Sequence, residues 1–403
     1  MTSKLDLHPS DIVGFNRLAN SAVAGITDLV ESLHGEIART SGGVGTSPAQ
    51  QLSAGITALV YNSIRGVTDL IGTSLIAAEP SLPPAPERVS LRREAIVAAV
   101  NGVLGDYLVK TSNPLALSMS LRRRGRPLVI EKHALHAAIA RPTGKLLLLA
   151  HGLCLSDLQW RRNGHDHGAS LARDLGYTPI YLHYNSGLHV SDNGRSLAIL
   201  LESLVDQWPV SVEELAIIGH SMGGLVARSA HHYAIEAGHL WPRHLRTLIF
   251  LGTPHHGAPL ERLGNWVDTA LEVSPYSLPF ANLGKIRSAG ITDMRYGNLV
   301  EQDWQGRDRF ASGADTRRPL PLPRDVQCYA IAATRQPDAS SAPDLLGDGL
   351  VTLDSALGRH PDPDMCLNIA ESHQWTAYGA NHWDLLSHPA VYENLRRWLQ
   401  SSS

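Results

Sequence analysis

The segment Leu215–Gly224, LAIIGHSMGG, decides how this chain folds. Its apolar first half reads as a buried strand and runs directly into Gly219-His220-Ser221-Met222-Gly223, which has the form G-x-S-x-G. An amphipathic helical stretch begins at Gly223. In a strand–turn–helix of this kind the glycines permit a sharp turn that exposes one serine hydroxyl at a helix N-terminus. The flanking strand and helix favour a nucleophilic Ser221 over an inert serine in a tight turn.

The bulk composition is that of an ordinary globular protein. The chain has 403 residues, of which 43% are hydrophobic and 18% charged, with a net charge of −3. This charge balance gives no reason to expect a nucleic-acid partner. Residues 1–17 contain no continuous apolar segment, and no apolar run approaches the roughly 18 residues of a membrane span. The sequence therefore predicts a cytoplasmic protein, and the three cysteines show no disulfide framework.

Residues 1–113 have the spacing of amphipathic helices. Apolar residues recur at three- and four-residue intervals over 12–37, 52–75 and 96–108, and a proline-rich stretch at 80–86 follows the second run. We predict an N-terminal amphipathic helical region that packs as an accessory domain on the rest of the chain. The alternative is that these helices make peripheral contact with a lipid membrane or granule surface. The sequence leaves the oligomeric state open.

From residue 114 to 403, apolar strands alternate with helices. This alternation predicts an α/β fold, with a mostly parallel sheet covered by helices on both faces. The predicted strands are Leu115–Leu121, Leu128–Glu131, Lys145–Ala150, Pro179–Tyr184, Leu215–Gly219, Leu245–Leu251, Val326–Ala332 and Cys366–Ala370.

Residues 255–320 break the alternation and lie where a lid or cap insertion is expected. The segment is rich in Gly, Pro, Trp and Arg. Its apolar residues point weakly to an acyl chain as substrate, because they would equally serve to pack the cap. They are Leu260, Leu263, Trp266, Val267, Leu271, Tyr276 and Phe280.

A nucleophilic serine requires a histidine as base and an acid that orients it. His382 follows the last predicted strand and precedes the C-terminal helix, in a loop expected to lie over the serine. His373 and His388 are the rival bases.

The acid should follow the second-to-last strand, and Asp348 does so in a loop between two glycines. The nearby Asp338, Asp344 and Asp354 remain alternatives on chemistry alone, because a carboxylate in such a turn is often only a turn former.

The oxyanion of acyl transfer needs two hydrogen-bond donors. One is the backbone N–H of Met222, which follows the nucleophile. The other is expected from the loop after the strand Lys145–Ala150, where the His151-Gly152 pair allows a turn that directs the Leu153 N–H.

Taken in order, five motifs resemble the α/β-hydrolase superfamily. They are His-Gly-Leu at 151–153, the serine turn, Gly-Thr-Pro-His-His-Gly at 252–257, Asp-Gly-Leu-Val at 348–351 and Asn-His-Trp-Asp at 381–384. Within that superfamily the pattern is similar to bacterial lipases and GPI inositol-deacylase-like esterases over about 145–395. The resemblance implies a Ser221, Asp348 and His382 triad, with Leu153 and Met222 as backbone oxyanion donors.

Metal sites are a further question that the resemblance raises. In bacterial lipases an aspartate after the catalytic histidine binds calcium, and Asp384 matches it, but His388 stands where a glutamine is expected. Some related thermophilic lipases carry zinc, and histidines cluster at 165–167, 231–232 and 255–256. Adjacent helical histidines point about 100° apart and cannot readily share a metal. We expect surface, capping and core roles for them, and no metal or cofactor in the chemistry.

The sequence thus predicts a serine hydrolase that cleaves carboxylic esters, with a hydrophobic acyl ester as substrate. An acyltransferase or thioesterase would use the same three residues. A protein that binds a lipid or granule surface and carries a degenerate hydrolase domain is the non-enzymatic alternative, against which the complete set of motifs argues.

Overall fold

The computed structural model describes residues 90–258, 287–309, 315–339 and 347–401, together with residues 8, 10, 11, 13–15, 17 and 18. The helix predicted for 52–75 lies outside the described residues, as do most of the helix at 12–37 and the apolar residues named for the 255–320 segment. Among the described helices, none is both long enough and apolar enough to cross a membrane.

Within the described ranges, strands and helices alternate along the chain. The strands are β1 Ser120–Arg123, β2 Arg126–Pro127, β3 Lys145–Ala150, β4 Thr178–His183, β5 Glu214–His220, β6 Leu245–Leu251, β7 Gln327–Thr334 and β8 Gln374–Tyr378. The helices are α1 Leu91–Lys110, α2 Lys132–Ala138, α3 His167–Leu175, α4 Val190–Asp206, α5 Met222–Ala237, α6 Ala289–Asp293, α7 Leu353–Ala356 and α8 Pro389–Ser401. Short 3-10 turns lie at Asp157–Trp160, Trp241–His244, Glu301–Asp303, Pro363–Met365, Glu371–His373 and Asp384–Leu386.

The eight described strands form one sheet in the order β2-β1-β4-β3-β5-β6-β7-β8. Strand β1 pairs antiparallel with β2 and β4, and every other neighbouring pair is parallel. Because the carboxyl ends of parallel strands share one edge, the loops after β3, β5, β6, β7 and β8 gather on the same side of the sheet. The predicted α/β-hydrolase fold is confirmed.

Both faces of the sheet are buried. Along β3, Leu146, Leu148 and Ala150 join a hydrophobic cluster that contains residues of α1, α4 and α5. The alternating Leu147 and Leu149 join a second cluster with residues of α3 and α8. The two-residue period of a strand sends successive side chains to opposite faces. A continuous leucine run is therefore the expected sequence of a strand covered on both sides.

The predicted hairpin strands Leu115–Leu121 and Leu128–Glu131 are wrong in position. Arg124 and Gly125, both at positive φ, form a two-residue turn that starts the strand ladder at Arg123 and Arg126. The residues before β1 are held differently. The Asn101 amide on α1 donates to the Leu115 carbonyl at 2.7 Å and accepts from the Leu117 N–H at 2.9 Å, which takes backbone groups that a strand would need.

The predicted last strand, Cys366–Ala370, is also wrong. Asn368 has φ 51°, a left-handed conformation that interrupts an extended strand. The strand beside β7 is β8, which begins after the turn Glu371–His373. His382 nevertheless follows the last strand, as predicted. The remaining strands agree with prediction to within two residues.

Helix α1 confirms the third predicted N-terminal helix. Its residues Ile96, Val100 and Leu104 are buried in the same cluster as β3 and α5. The division of the chain into residues 1–113 and 114–403 stays a prediction.

Candidate active site

Ser221 occupies a sharp turn between β5 and α5. Its φ of 55° and ψ of −126° are rare for a residue with a side chain, and such strain costs about 1–3 kcal/mol. The turn requires two of its glycines. A Cβ on Gly219 would lie 2.5 Å from the Cα of Gly224, and one on Gly223 would lie 2.2 Å from the carbonyl oxygen of Ala150. At these two positions of the motif, any residue with a side chain would clash with the neighbouring backbone.

The turn is tied to the end of the neighbouring strand. The Ser221 N–H donates to the Leu251 carbonyl at 2.8 Å. The Ser221 side chain is buried, and its Oγ has no hydrogen-bond partner among the described residues. A buried hydroxyl without a partner is uncommon in folded proteins.

His382 lies beside the same strand end. A Cβ on Gly252, which follows Leu251, would lie 3.0 Å from Cε1 and 3.1 Å from Nδ1 of the His382 ring. Ser221 and His382 therefore contact consecutive residues at the carboxyl end of β6. The histidine sits in a loop that Asn381 organises, because the Asn381 Oδ1 accepts from the N–H groups of Trp383 and Asp384.

Asp348 is the carboxylate that reaches His382. The distance from Asp348 Oδ2 to His382 Nδ1 is 2.6 Å, and both side chains are at most 1% exposed. The other carboxylate oxygen, Oδ1, accepts from the N–H groups of Leu350 at 2.9 Å and Val351 at 2.8 Å. The His382 N–H also donates to the Asp348 carbonyl at 3.3 Å. Both the ring and its backbone are thus fixed to the Asp348 turn.

The rival acids and bases lie elsewhere. Asp338 is exposed, the Asp354 side chain is 75% exposed, and Asp344 lies outside the described residues. His373 Nδ1 lies 3.2 Å from the Cys328 carbonyl oxygen, and His388 Nδ1 accepts from the Ala390 N–H. Of the alternatives considered, Asp348 and His382 are the pair that the described structure brings together.

The loop after β3 passes directly over the serine turn. A Cβ on Gly152 would lie 2.9 Å from the Ser221 Cβ, so only glycine allows this approach. Leu153 follows in that loop, and Met222 is the first residue of α5. No hydrogen bond found among the described residues occupies either backbone N–H. Both predicted oxyanion donors therefore belong to segments that adjoin Ser221.

Two buried histidines flank the serine turn. The His220 Nε2–H donates to the His382 carbonyl at 3.2 Å, and the two rings are 4.7 Å apart. The His151 ring stacks on Tyr184 at 4.4 Å. Burial lowers the pKa of His151 to about 3 and the pKa of His220 well below its usual range. Both imidazoles are neutral at neutral pH. The contact of His220 with the His382 loop was not predicted from the sequence. There, His220 was only the variable residue before the serine of the G-x-S-x-G motif.

Three histidines of the clusters singled out in the sequence have protein partners through their rings. His165 Nε2 lies 2.9 Å from His167 Nδ1, and His167 Nε2 lies 2.9 Å from the Leu385 carbonyl. His255 is buried beside Arg228. At the position compared with a calcium ligand, the Asp384 Oδ2 accepts from the Asn381 N–H, so this carboxylate closes its own loop.

A buried cluster not predicted from the sequence combines three side chains that could bind a metal. Within the described part of the chain, Glu94, Asp157 and His183 place one ligand atom each within 4.8 Å of the others. Arg122 Nη1 lies 2.6 Å from Glu94 Oε2 and 3.3 Å from Asp157 Oδ1. A fixed positive charge therefore already lies between the two carboxylates, and the cluster is a buried ion-pair network. Its members are too far apart in sequence to form a recognisable motif.

Comparisons with known proteins agree with this architecture. Residues 141–316 match the family model of the PGAP1-like alpha/beta domain. No curated protein sequence matches the chain.

Similar solved structures include three lipases or esterases. The mature form of a Bacillus licheniformis lipase is 18% identical, with 66% of this chain and 95% of that chain covered and a TM-score of 0.41. An Aspergillus fumigatus lipase B is 12% identical, with 94% and 83% covered and a TM-score of 0.39. A Pyrococcus furiosus esterase is 16% identical, with 64% and 83% covered and a TM-score of 0.36.

The family match spans the strands on both sides of the serine turn, where the sheet order and the motif independently indicate the same architecture. Residues 141–316 are thus similar to the PGAP1-like alpha/beta domain, and the described strands have the α/β-hydrolase fold.

Proposed function

We propose that this protein hydrolyses carboxylic esters through an acyl-enzyme on Ser221. The observation that carries the proposal is the buried 2.6 Å contact between Asp348 and His382, next to a strained serine turn. Structural serines have no need of a strained backbone together with an adjacent, carboxylate-bound imidazole. A nucleophile needs both, because the first exposes its hydroxyl and the second accepts its proton.

In the first half of the reaction, Ser221 Oγ attacks the acyl carbonyl carbon and His382 Nε2 takes the hydroxyl proton. Asp348 accepts the Nδ1–H and stabilises the imidazolium that forms. The N–H groups of Leu153 and Met222 hold the negative charge that develops on the carbonyl oxygen. The carbon–oxygen bond to the alcohol then breaks, and His382 returns its proton to the leaving alkoxide. The product is the acyl ester of Ser221.

In the second half, water takes the place of the alcohol. His382 removes one water proton while the oxygen attacks the acyl-enzyme, and the proton then returns to Ser221 Oγ as the carboxylic acid leaves. Neutral flanking imidazoles suit this cycle. His151 and His220 carry no charge at neutral pH, so they add no fixed positive charge that would oppose the protonation of His382.

The test is turnover of p-nitrophenyl butyrate by Ser221→Ala. Loss of the nucleophile should lower kcat by about 10⁶-fold, to the background of the assay. The matched control is Ser203→Ala, which removes the hydroxyl of an exposed serine on α4 that donates to the Ile199 carbonyl. A fluorophosphonate probe should add its mass to the peptide that contains Ser221, and should not label the variant.

Ester turnover that survives in Ser221→Ala, or labelling of a different serine, would refute the proposal. Adding a primary alcohol identifies the acceptor. If more of the new ester than of the free acid forms, the protein is an acyltransferase with the same nucleophile rather than a hydrolase. A series of esters with increasing acyl length then tests whether the substrate is hydrophobic, as the composition of the 255–320 segment predicts.

A further inference from the structure

Helix α1 contacts the loops that follow β3 and β4. A Cβ on Gly102 would lie 2.8 Å from the Cα and 2.9 Å from the backbone N of Cys154, so the two backbones touch. One turn later, a Cβ on Gly105 would overlap the side chain of Asn185. Conversely, a Cβ on Gly187 would lie 2.1 Å from the Asn101 carbonyl oxygen. The helix can approach this closely only because these positions carry no side chain.

Cys154 is the residue through which this contact reaches the candidate oxyanion loop. It follows Leu153 directly and has φ 60°, a left-handed conformation that is uncommon for a residue other than glycine. Its N–H donates to the Ser186 Oγ at 3.0 Å, and both residues are buried. Such a conformation persists only where the surroundings fix it. Here the surroundings are α1 on one side and the loop after β4 on the other.

The same part of α1 also holds α6. The Ser288 Oγ donates to the Gly102 carbonyl at 2.6 Å, and the Ala289 N–H donates to Asp106 Oδ2 at 3.2 Å. A Cβ on Gly290 would lie 3.0 Å from the Met222 Cε. One turn of α1 therefore contacts both the oxyanion loop and the helix that packs on the residue after Ser221.

We propose that α1 is a positioning element for the oxyanion hole, with Gly102 and Ser186 as positioning residues for the Leu153 N–H. This inference rests on the proposed ester hydrolysis. Helix α1 lies before the residues that match the hydrolase family model, so that match does not include it. Pressure on Cys154 from α1, or loss of its Ser186 acceptor, would rotate the adjoining Leu153 peptide. The N–H would then no longer point at the oxyanion.

Two variants test the idea by opposite means, in the full-length protein. Gly102→Ala pushes on the Cys154 backbone and places a better helix former in α1, so the helix itself is not weakened. Ser186→Ala removes the acceptor and inserts nothing. Each should lower kcat for p-nitrophenyl butyrate by about tenfold or more, since misplacing a catalytic group by 1 Å costs up to about 10²-fold. KM should remain within twofold.

The discriminating measurement is the inhibition constant of a trifluoromethyl ketone with a butyl chain. Its hemiketal with the serine carries the oxyanion, so the constant should rise in proportion to the loss of kcat/KM. A variant that is only partly folded would lose active enzyme and leave this constant unchanged. The matched control is Gly144→Ala at the opposite end of β3, where the nearest atoms to the added Cβ belong to the flexible Glu213 side chain. Its kcat and inhibition constant should equal those of the unmodified protein.

The possible outcomes separate the two proposals. If the unmodified protein shows no turnover that depends on Ser221, the ester hydrolase proposal fails and this inference fails with it. If that turnover is present but both variants keep kcat and the inhibition constant within twofold, only the role of α1 is refuted. A lower kcat together with a KM raised by the same factor and an unchanged inhibition constant would also refute it, because this pattern indicates general damage.

Discussion

Replacing Asp348 by asparagine separates an orienting carboxylate from one that merely closes a turn. In the structure, Asp348 Oδ1 accepts from the N–H groups of Leu350 and Val351, while Oδ2 faces His382 Nδ1. In Asp348→Asn the amide oxygen must take the first position, because only an acceptor satisfies two donors. The amide nitrogen is therefore directed at His382 and offers it a donor.

This orientation forces the wrong tautomer on the base. His382 Nδ1 would accept from the amide, and its proton would move to Nε2, which could no longer take the proton of Ser221. We expect kcat to fall by about 10⁴-fold, equivalent to about 5.5 kcal/mol of transition-state stabilisation, as in a triad whose base is held in the wrong tautomer. KM should change little, because neither carboxylate oxygen of Asp348 is placed to touch the substrate.

The assay is steady-state hydrolysis of p-nitrophenyl butyrate, with thermal unfolding measured in parallel. Asp354→Asn is the matched control, since it makes the same chemical change at an exposed carboxylate six residues away, and its kcat should be unaffected. Retention of more than about a tenth of the activity by Asp348→Asn would refute the reasoning, given the roughly 10⁴-fold loss expected. So would an equal loss in the Asp354 variant, because it would point to another acid.

Two further predictions concern the buried histidines. The His220 Nε2–H fixes the main chain of the proposed base, so His220→Phe should lower kcat by about tenfold, the equivalent of one neutral hydrogen bond, whereas His220→Gln should restore most of it by supplying a donor. Equal activities of the two variants would show that the hydrogen bond has no role. The second prediction is loss of stability in acid. Burial lowers the pKa of His151 and of His167 to about 3 from an unfolded value of 6.5, so below pH 6.5 the unfolded chain binds protons that the folded chain does not. This contribution is fully present above pH 6.5 and is lost as pH falls toward 3. At pH 5 each histidine should lower the free energy of unfolding by about 2 kcal/mol relative to its value above pH 6.5, at 1.36 kcal/mol per pKa unit. Urea denaturation at pH 7 and pH 5 measures this difference, and equal midpoints would contradict it.

Much of the fold was predictable because its local signals are strong. Strand β3 contains a run of four leucines, and both its bounds and those of β6 agree with prediction. One error falls where a distant side chain binds the backbone, and the other falls at a residue with positive φ. Asn101 takes the backbone groups of Leu115 and Leu117, and the left-handed Asn368 interrupts an apolar run that otherwise resembles a strand. Hydrophobic periodicity carries no information about either feature.

The candidate site divides in the same way. By itself the sequence determined the serine turn, because the steric contact that requires Gly219 is local, with the backbone of Gly224. It left several aspartates and histidines open on chemical grounds, and a resemblance was needed to prefer Asp348. Only the tertiary structure brought Asp348 to 2.6 Å from His382. It also placed Gly102 of α1 against Cys154, in the loop after β3 that carries Leu153. The physical reason is that a turn is set by neighbours in the chain, whereas a charge pair and a backbone contact depend on where separate loops meet at one edge of the sheet.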